Sequence, residues 1–249
     1  MSRIKVMLIN PNPRQMSLVQ PVVALFYSIF KRHGIEMQFF DTTFYDVSDE
    51  YVDSDIYVEA IRDVEKIDRP DSISEPSKKG SKELEADFRS AVESFQPHVV
   101  MVSALESTVR FARNLLRMIR DLEIPHVLGG VFATYAPDLA LSYDEIDIIC
   151  VGEAEEIIVP LVRKIVAGEK LDGLPGVWTK GRNGNVTKSP IAPPYDLNKN
   201  PRFDGTPFEE SRFYRPMHGK IYKMIPIETH RGCPLKCTFC NSPIQNSMY

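Results

Sequence analysis

The sequence predicts an α/β protein built on a doubly wound, five-stranded parallel sheet. Three observations carry this. Five short apolar runs of strand length recur along the first 152 residues. They are apolar at consecutive positions rather than alternating, as expected of strands covered on both faces. Each is separated from the next by a segment of helical periodicity, which is the pattern of β-α-β units.

Arg3 to Asn10 is the first strand, ended by Pro11-Asn12-Pro13. Ser17 to His33 follows as a helix with Leu18, Val22, Leu25, Phe26 and Ile29 inward, and Gly34 stops it. Ile35 to Asp41 is the second strand. Residues 42–81 are first acidic and then rich in Pro, Ser and Lys, and read as an insertion with a helical piece from Ile56 to Val64. Order returns with a helix from Lys82 to Phe95 and a third strand from His98 to Ala104. A helix from Ser107 to Leu122 leads to a fourth strand, Pro125 to Gly130, and a short helix from Pro137 to Ser142. Ile146 to Gly152 is the fifth strand, and Ala154 to Ala167 its helix, closed by Gly168. Gly176 to Lys180 and Val186 to Ser189 flank Asn183-Gly184, a hairpin signal. On this pattern the first domain spans residues 1–189, a Pro- and aromatic-rich linker spans 190–220, and a new unit starts at 221. Its first strand, Lys223 to Thr229, delivers a cysteine-rich loop.

The 249 residues suffice for one sizeable domain and part of another. A net charge of −4 gives no electrostatic reason to expect nucleic acid or an anionic membrane. No run reaches the roughly 18 apolar residues of a membrane span. The N-terminus has no signal-peptide pattern. Clustered thiols without a targeting segment point to a reducing cytoplasm.

Three of the four cysteines lie in Arg231-Gly232-Cys233-Pro234-Leu235-Lys236-Cys237-Thr238-Phe239-Cys240. Clustered thiolates are soft ligands that select iron–sulfur clusters, zinc or Cu(I). Zinc held by Cys233, Cys237, Cys240 and His230 is the competing site, as are plain reduced thiols. Zinc sites usually pair two closely spaced ligands with a second pair well downstream, and none follows here. Three thiolates around a cubane leave one iron open to a substrate or cosubstrate.

The Cys-x3-Cys-x2-Cys spacing resembles the signature of the radical S-adenosylmethionine (radical SAM) enzymes. The resemblance implies a 4Fe-4S cluster on Cys233, Cys237 and Cys240, with Phe239 in the aromatic position before the third cysteine. It also implies S-adenosylmethionine on the open iron and an electron donor such as flavodoxin or ferredoxin.

In doubly wound sheets, ligands sit at the carboxyl ends of strands. The residues there are Pro11 and Asn12; Ser103, Leu105 and Glu106; Gly129, Gly130 and Val131; and Gly152, Glu153 and Glu155. Ser103-x-Leu105, Gly129-Gly130 and Gly152-Glu153-Ala154-Glu155 resemble elements of Rossmann-like cobalamin-binding domains that precede a radical SAM core. Taken singly, Gly-Gly is also turn chemistry, and Glu153 and Glu155 are also acids suited to a helix N-terminus. The sequence departs from the pattern at one place. The Asp-x-His-x-x-Gly element, whose histidine ligates cobalt, is replaced by Asn10-Pro11-Asn12-Pro13-Arg14-Gln15. His33, His98, His126 and His218 read as structural or surface residues, and His230 as ambiguous.

The resemblance implies a cobalamin-dependent radical SAM enzyme that transfers a methyl group to an unactivated carbon of a small-molecule substrate. A non-catalytic cobalamin-binding carrier module is the alternative. So is a radical SAM enzyme of another kind, a cyclase or a methylthiotransferase-like protein; the latter needs further cysteines where only Cys150 exists. A radical SAM barrel needs several more βα units than the nine residues after Cys240 supply, so the chain is expected to be part of a longer enzyme and inactive alone.

Overall fold

The computed structural model describes residues 3–12, 19–47 and 79–241. Most of the insertion, including its expected helix at Ile56 to Val64, lies outside the described residues.

The core is a seven-stranded sheet. Strands β1 (Lys5–Asn10), β2 (Glu36–Asp41), β5 (Val99–Ser103), β6 (His126–Gly129) and β7 (Ile148–Cys150) are parallel, in the order β2-β1-β5-β6-β7. Strands β8 (Val177–Lys180) and β9 (Val186–Lys188) continue the sheet antiparallel beyond β7. The expected hairpin is therefore the sheet's antiparallel edge. Its loop is closed by Gly181 N–H to Asn185 O and by Gly184 N–H to Gly181 O, both 2.8 Å. A two-residue parallel pair, β3 (Tyr45–Asp46) with β4 (Lys79–Gly80), bridges the two ends of the insertion.

Successive strand residues face opposite sides, and the core divides accordingly. Val6, Leu8, Val99, Met101 and Val127 pack under helix α1 (Pro21–Arg32) and helix α6 (Ile158–Ala167). Met7, Ile9, Val100, Val102 and Leu128 pack under α2 (Ser81–Phe95), α3 (Glu106–Met118), α4 (Val131–Tyr135) and α5 (Pro137–Ser142). The helix after β1 thus covers one face and the helix after β5 the other. The order reverses between these two strands, which opens a crevice at their carboxyl ends.

Helix ends follow local chemistry. α1 starts at Pro21, in the first helical position, where its missing N–H costs nothing and its fixed φ suits the helix. α2 is preceded by Gly80 as its cap, whose N–H donates to Glu83 Oε2 at 2.6 Å. α6 starts at Ile158, four residues later than the periodicity suggests, because Ala154 to Ile157 form a turn after β7.

The Pro-rich segment after β9 packs back onto the α1 face. Phe208 stands edge-on to Phe39 of β2 at 5.4 Å, and Phe213 edge-on to Phe203 at 6.3 Å. Arg212 is fully buried there. Its guanidinium pairs with Asp41 and donates to Gln20 Oε1 at 2.8 Å.

The expected strand from Lys223 to Thr229 is not formed. Lys223 is instead the last residue of β11 (Lys220–Lys223), which pairs antiparallel with β10 (Tyr214–Met217). His218 (φ 50°) and Gly219 (φ 74°) make the turn between them. From Met224 the chain runs to the cysteine loop without regular structure, since no neighbouring strand lies beside it among the described residues.

Candidate functional site

A cleft of about 640 Å³ opens at the switch point. Such volumes suit a sizeable organic ligand. Leu8, Met101 and Val127 from the strands, with Val22, Leu25 and Phe26 from α1, supply its apolar lining. Polar groups gather at the strand ends: Asn10 closing β1, Ser103 closing β5, Thr134 and Tyr135 of α4. The fourth wall comes from the far end of the chain, namely Glu228, His230, Arg231 and Gly232.

Of the residues expected here, the cleft gathers Ser103, Leu105, Gly129, Gly130, Val131, Gly152, Glu153 and Glu155. Pro11, Asn12, Glu106 and Phe239 are not among its lining. Asn12 is tied inward: its N–H donates to Thr42 Oγ1 at 2.7 Å and its Nδ2 to Thr43 Oγ1 at 2.9 Å. Glu106 opens α3 and faces solvent, and Phe239 is 91% exposed.

Gly130 shows why the Gly-Gly pair is needed. Its φ is +88°, and a Cβ there would fall 2.8 Å from Ala104 O and 2.9 Å from Ser103 Oγ. Only glycine lets the β6 loop lie this close to the end of β5. The backbone then turns into α4, which carries Thr134 and Tyr135 to the cleft. The Thr134 hydroxyl accepts from Gly152 N–H at 3.1 Å, locking the β7 loop beside it.

Glu153 and Glu155 do not point at an empty rim; they hold Arg231. Arg231 Nη1 lies 3.1 Å from Glu153 Oε1, and Nη2 lies 2.5 Å from Glu155 Oε1 and 2.8 Å from Glu228 Oε2. Burial alone disfavours the guanidinium's charge. The hydrogen bonds it donates to Glu228 and Glu155, the Glu155 charge and the Glu153 contact outweigh that, so Arg231 stays charged. Glu153 Oε2 also accepts from Tyr195 N–H. Glu155 keeps its second oxygen buried and without a hydrogen-bond partner. Cys150, at the end of β7, borders the cleft but is buried, and burial, with the Glu155 charge second, pushes its thiol up to about 12.

Beyond Arg231, Cys233 and Cys237 are half-buried and Cys240 is exposed. Cys240 N–H closes a turn onto Cys237 O at 3.2 Å. No group of three or more His, Cys, Asp or Glu side chains converges as metal ligands among the described residues. Tyr135 links loop and cleft: burial first, and then the charge of Cys240, raise its hydroxyl above the ordinary value.

Among histidines, His230 lines the cleft, its Nδ1 3.0 Å from Thr229 Oγ1. His33, His98, His126 and His218 are not part of the lining. The sequence missed the roles of Arg231, Thr134 and Tyr135. A lone arginine before a cysteine motif carries no local sign that two distant glutamates will bind it.

Residues 72–162 match the family model described as the B12 binding domain. The chain is 27% identical over 166 residues to an uncharacterised methyltransferase of Pyrococcus horikoshii, covering 64% of this chain and 35% of the relative. It is 27% identical over 164 residues to the anaerobic magnesium-protoporphyrin IX monomethyl ester cyclase of Rubrivivax gelatinosus, covering 63% of this chain and 29% of that enzyme. The chain thus spans about a third of the length of the curated relatives it matches. Its fold is shared with the radical SAM methyltransferase TsrM of Kitasatospora setae (TM-score 0.55, 20% identity, 76% of this chain, 30% of that one). It is shared equally with the cobalamin-dependent radical enzyme OxsB (TM-score 0.55, 13% identity, 79% of this chain, 23% of that one). One segment of the chain thus resembles a B12 binding domain, on a fold shared with two radical SAM enzymes. No helix among the described residues is long and apolar enough to cross a membrane.

Proposed function

We propose that this chain is the cofactor-binding portion of a cobalamin-dependent radical SAM enzyme, and that the enzyme methylates an unactivated carbon of a small molecule. The observation that supports this most is spatial. The residues just before Cys233 form a wall of the switch-point cleft, so a cofactor in the cleft and a cluster on the loop would be neighbours.

The cleft fits cobalamin on its own features. An apolar lining beneath polar strand ends suits a large ring with an amide-bearing edge. The close-packed Gly130 backbone keeps side chains out of its rim, and the unpartnered Glu155 oxygen awaits a donor. The donor set of the loop, three closely spaced thiols, suits a 4Fe-4S cluster on Cys233, Cys237 and Cys240. When bound, the cluster would supply the electron that cleaves S-adenosylmethionine to an adenosyl radical and methionine, and cobalamin would supply a transferable methyl group.

The chain's own residues place and shelter. Gly129 and Gly130 would let the backbone meet a ring closely, Ser103 and Asn10 would offer hydrogen bonds, and the α1 side chains would exclude water. Leu105, half-exposed at the start of α3, adds apolar surface at the mouth. Tyr135 lines the cleft and is close enough to Cys240 to feel its charge.

The identity to a ring-forming cyclase equals that to the methyltransferase, and it favours ring closure as the second reading of the outcome. Anaerobic reconstitution with iron and sulfide tests the cluster. Roughly four irons per chain are expected, with an EPR signal of the reduced cluster that changes on adding S-adenosylmethionine. One tightly held zinc and no iron would refute it.

A further inference from the structure

We propose that Arg231 is a positioning residue that couples the cleft to the cysteine loop. It rests on the reading that the cleft takes cobalamin and the loop a cluster. Arg231 sits two residues before Cys233 and lines the cleft. Its guanidinium is gripped by Glu153 and Glu155, which extend from the end of β7, and by Glu228 on its own segment.

Several facts make this more than a surface ion pair. The Glu153 and Glu155 side chains are 9% and 5% exposed, and that of Arg231 is 20% exposed. Glu153 is braced from behind by Tyr195 N–H, so its contact to Arg231 has a fixed origin. The planar guanidinium fork reaches all three carboxylates through separate donors, a geometry that lysine's single ammonium does not reproduce. Met224 N–H donates to Phe213 O at 2.7 Å, but from Ile225 to Thr229 the segment has no strand or helix to hold it, and Ile225 and Ile227 are exposed. The clasp is therefore what seats the segment as a wall of the cleft. A ligand that needs this wall binds the seated arrangement better, and by linkage its binding seats the loop further.

The test is a double-mutant cycle on the whole 249-residue chain, metal-free and anaerobic, with Arg231→Gln, Glu155→Gln and the pair together. The first readout needs no cofactor: the alkylation rate of Cys233 by iodoacetamide, resolved by peptide mass spectrometry. Each single change should raise it several-fold, and the double variant should react no faster than Arg231→Gln. Continued protection of buried Cys150 shows that the domain stays folded. Arg231→Lys should fall between wild type and Arg231→Gln. The second readout is hydroxocobalamin affinity, which should weaken several-fold in the same variants. An unchanged Cys233 rate, or effects that simply add, would overturn the clasp. Equal corrin affinity across the variants would overturn the coupling while leaving the cofactor assignment intact. A wild-type chain that retains no corrin would remove the cofactor assignment and the coupling together, and the alkylation cycle would still decide the clasp.

Discussion

Arg212 and Asp41 pair inside the protein although 171 positions separate them. The arginine is fully buried, donates also to Gln20, and stacks its guanidinium 5.2 Å from the Phe208 ring centroid. The pair fastens the segment after the sheet to the carboxyl end of β2, beside α1 and the cleft.

Removing one partner of a buried ion pair strands the other, at about 3–5 kcal/mol. Arg212→Met should therefore lower the stability of the whole chain by about that amount, read from the urea midpoint. Arg212→Met with Asp41→Leu should recover much of the loss, because no charge is then left unpaired.

Gly130→Ala should disturb both fold and ligand site. The left-handed backbone costs about 1–3 kcal/mol for a residue with a side chain, and the new Cβ would meet Ala104 O at 2.8 Å. A lower melting temperature together with loss of corrin retention is expected. Normal retention would show that the Gly-Gly loop serves packing alone.

The four thiols should divide three to one under alkylation. Cys150 is buried, with its thiol pushed up to about 12, so at about pH 8 only about one in ten thousand is thiolate. Native, metal-free chain treated with iodoacetamide should gain three adducts, on Cys233, Cys237 and Cys240, and a fourth only after unfolding. Rapid labelling of Cys150 in native chain would contradict the burial described.

His126 makes stability sensitive to acid. Burial depresses its pKa below the ordinary 6.5, more than its hydrogen bond at Glu145 and the charge of Asp147 raise it. The unfolded chain thus binds a proton that the folded chain resists. Stability from this group is present above about pH 6.5 and is lost as the pH falls through the folded value. Urea midpoints at about pH 7.5 and about pH 5.5 should differ more for wild type than for His126→Leu. Equal differences would remove His126 as a cause.

The parallel strands were legible because their runs are apolar on both faces, and the edge hairpin because Asn183-Gly184 marks it. Strand-end position points to Ser103, Gly129, Gly130 and Gly152, which line the cleft. It misled at Asn12 and Glu106, since nothing local tells that Asn12 turns inward to Thr42 and Thr43 or that Glu106 faces solvent. The β10–β11 hairpin was hidden by Pro216 within it, which reads as a strand breaker but is tolerated in a two-stranded ribbon. Met224 to Thr229 has a strand's composition, yet composition cannot supply the pairing partner a strand requires. The Arg231 clasp joins sites distant in sequence and leaves no periodic trace.

The most direct measurement is gel filtration of the whole chain after incubation with hydroxocobalamin, with absorbance read across the protein peak. Co-elution of about one corrin per chain is predicted, with a spectrum lacking histidine ligation from below, as the missing Asp-x-His-x-x-Gly element requires. A folded chain that elutes with no corrin band would contradict the account, leaving the cleft without its proposed ligand and methyl transfer without its donor.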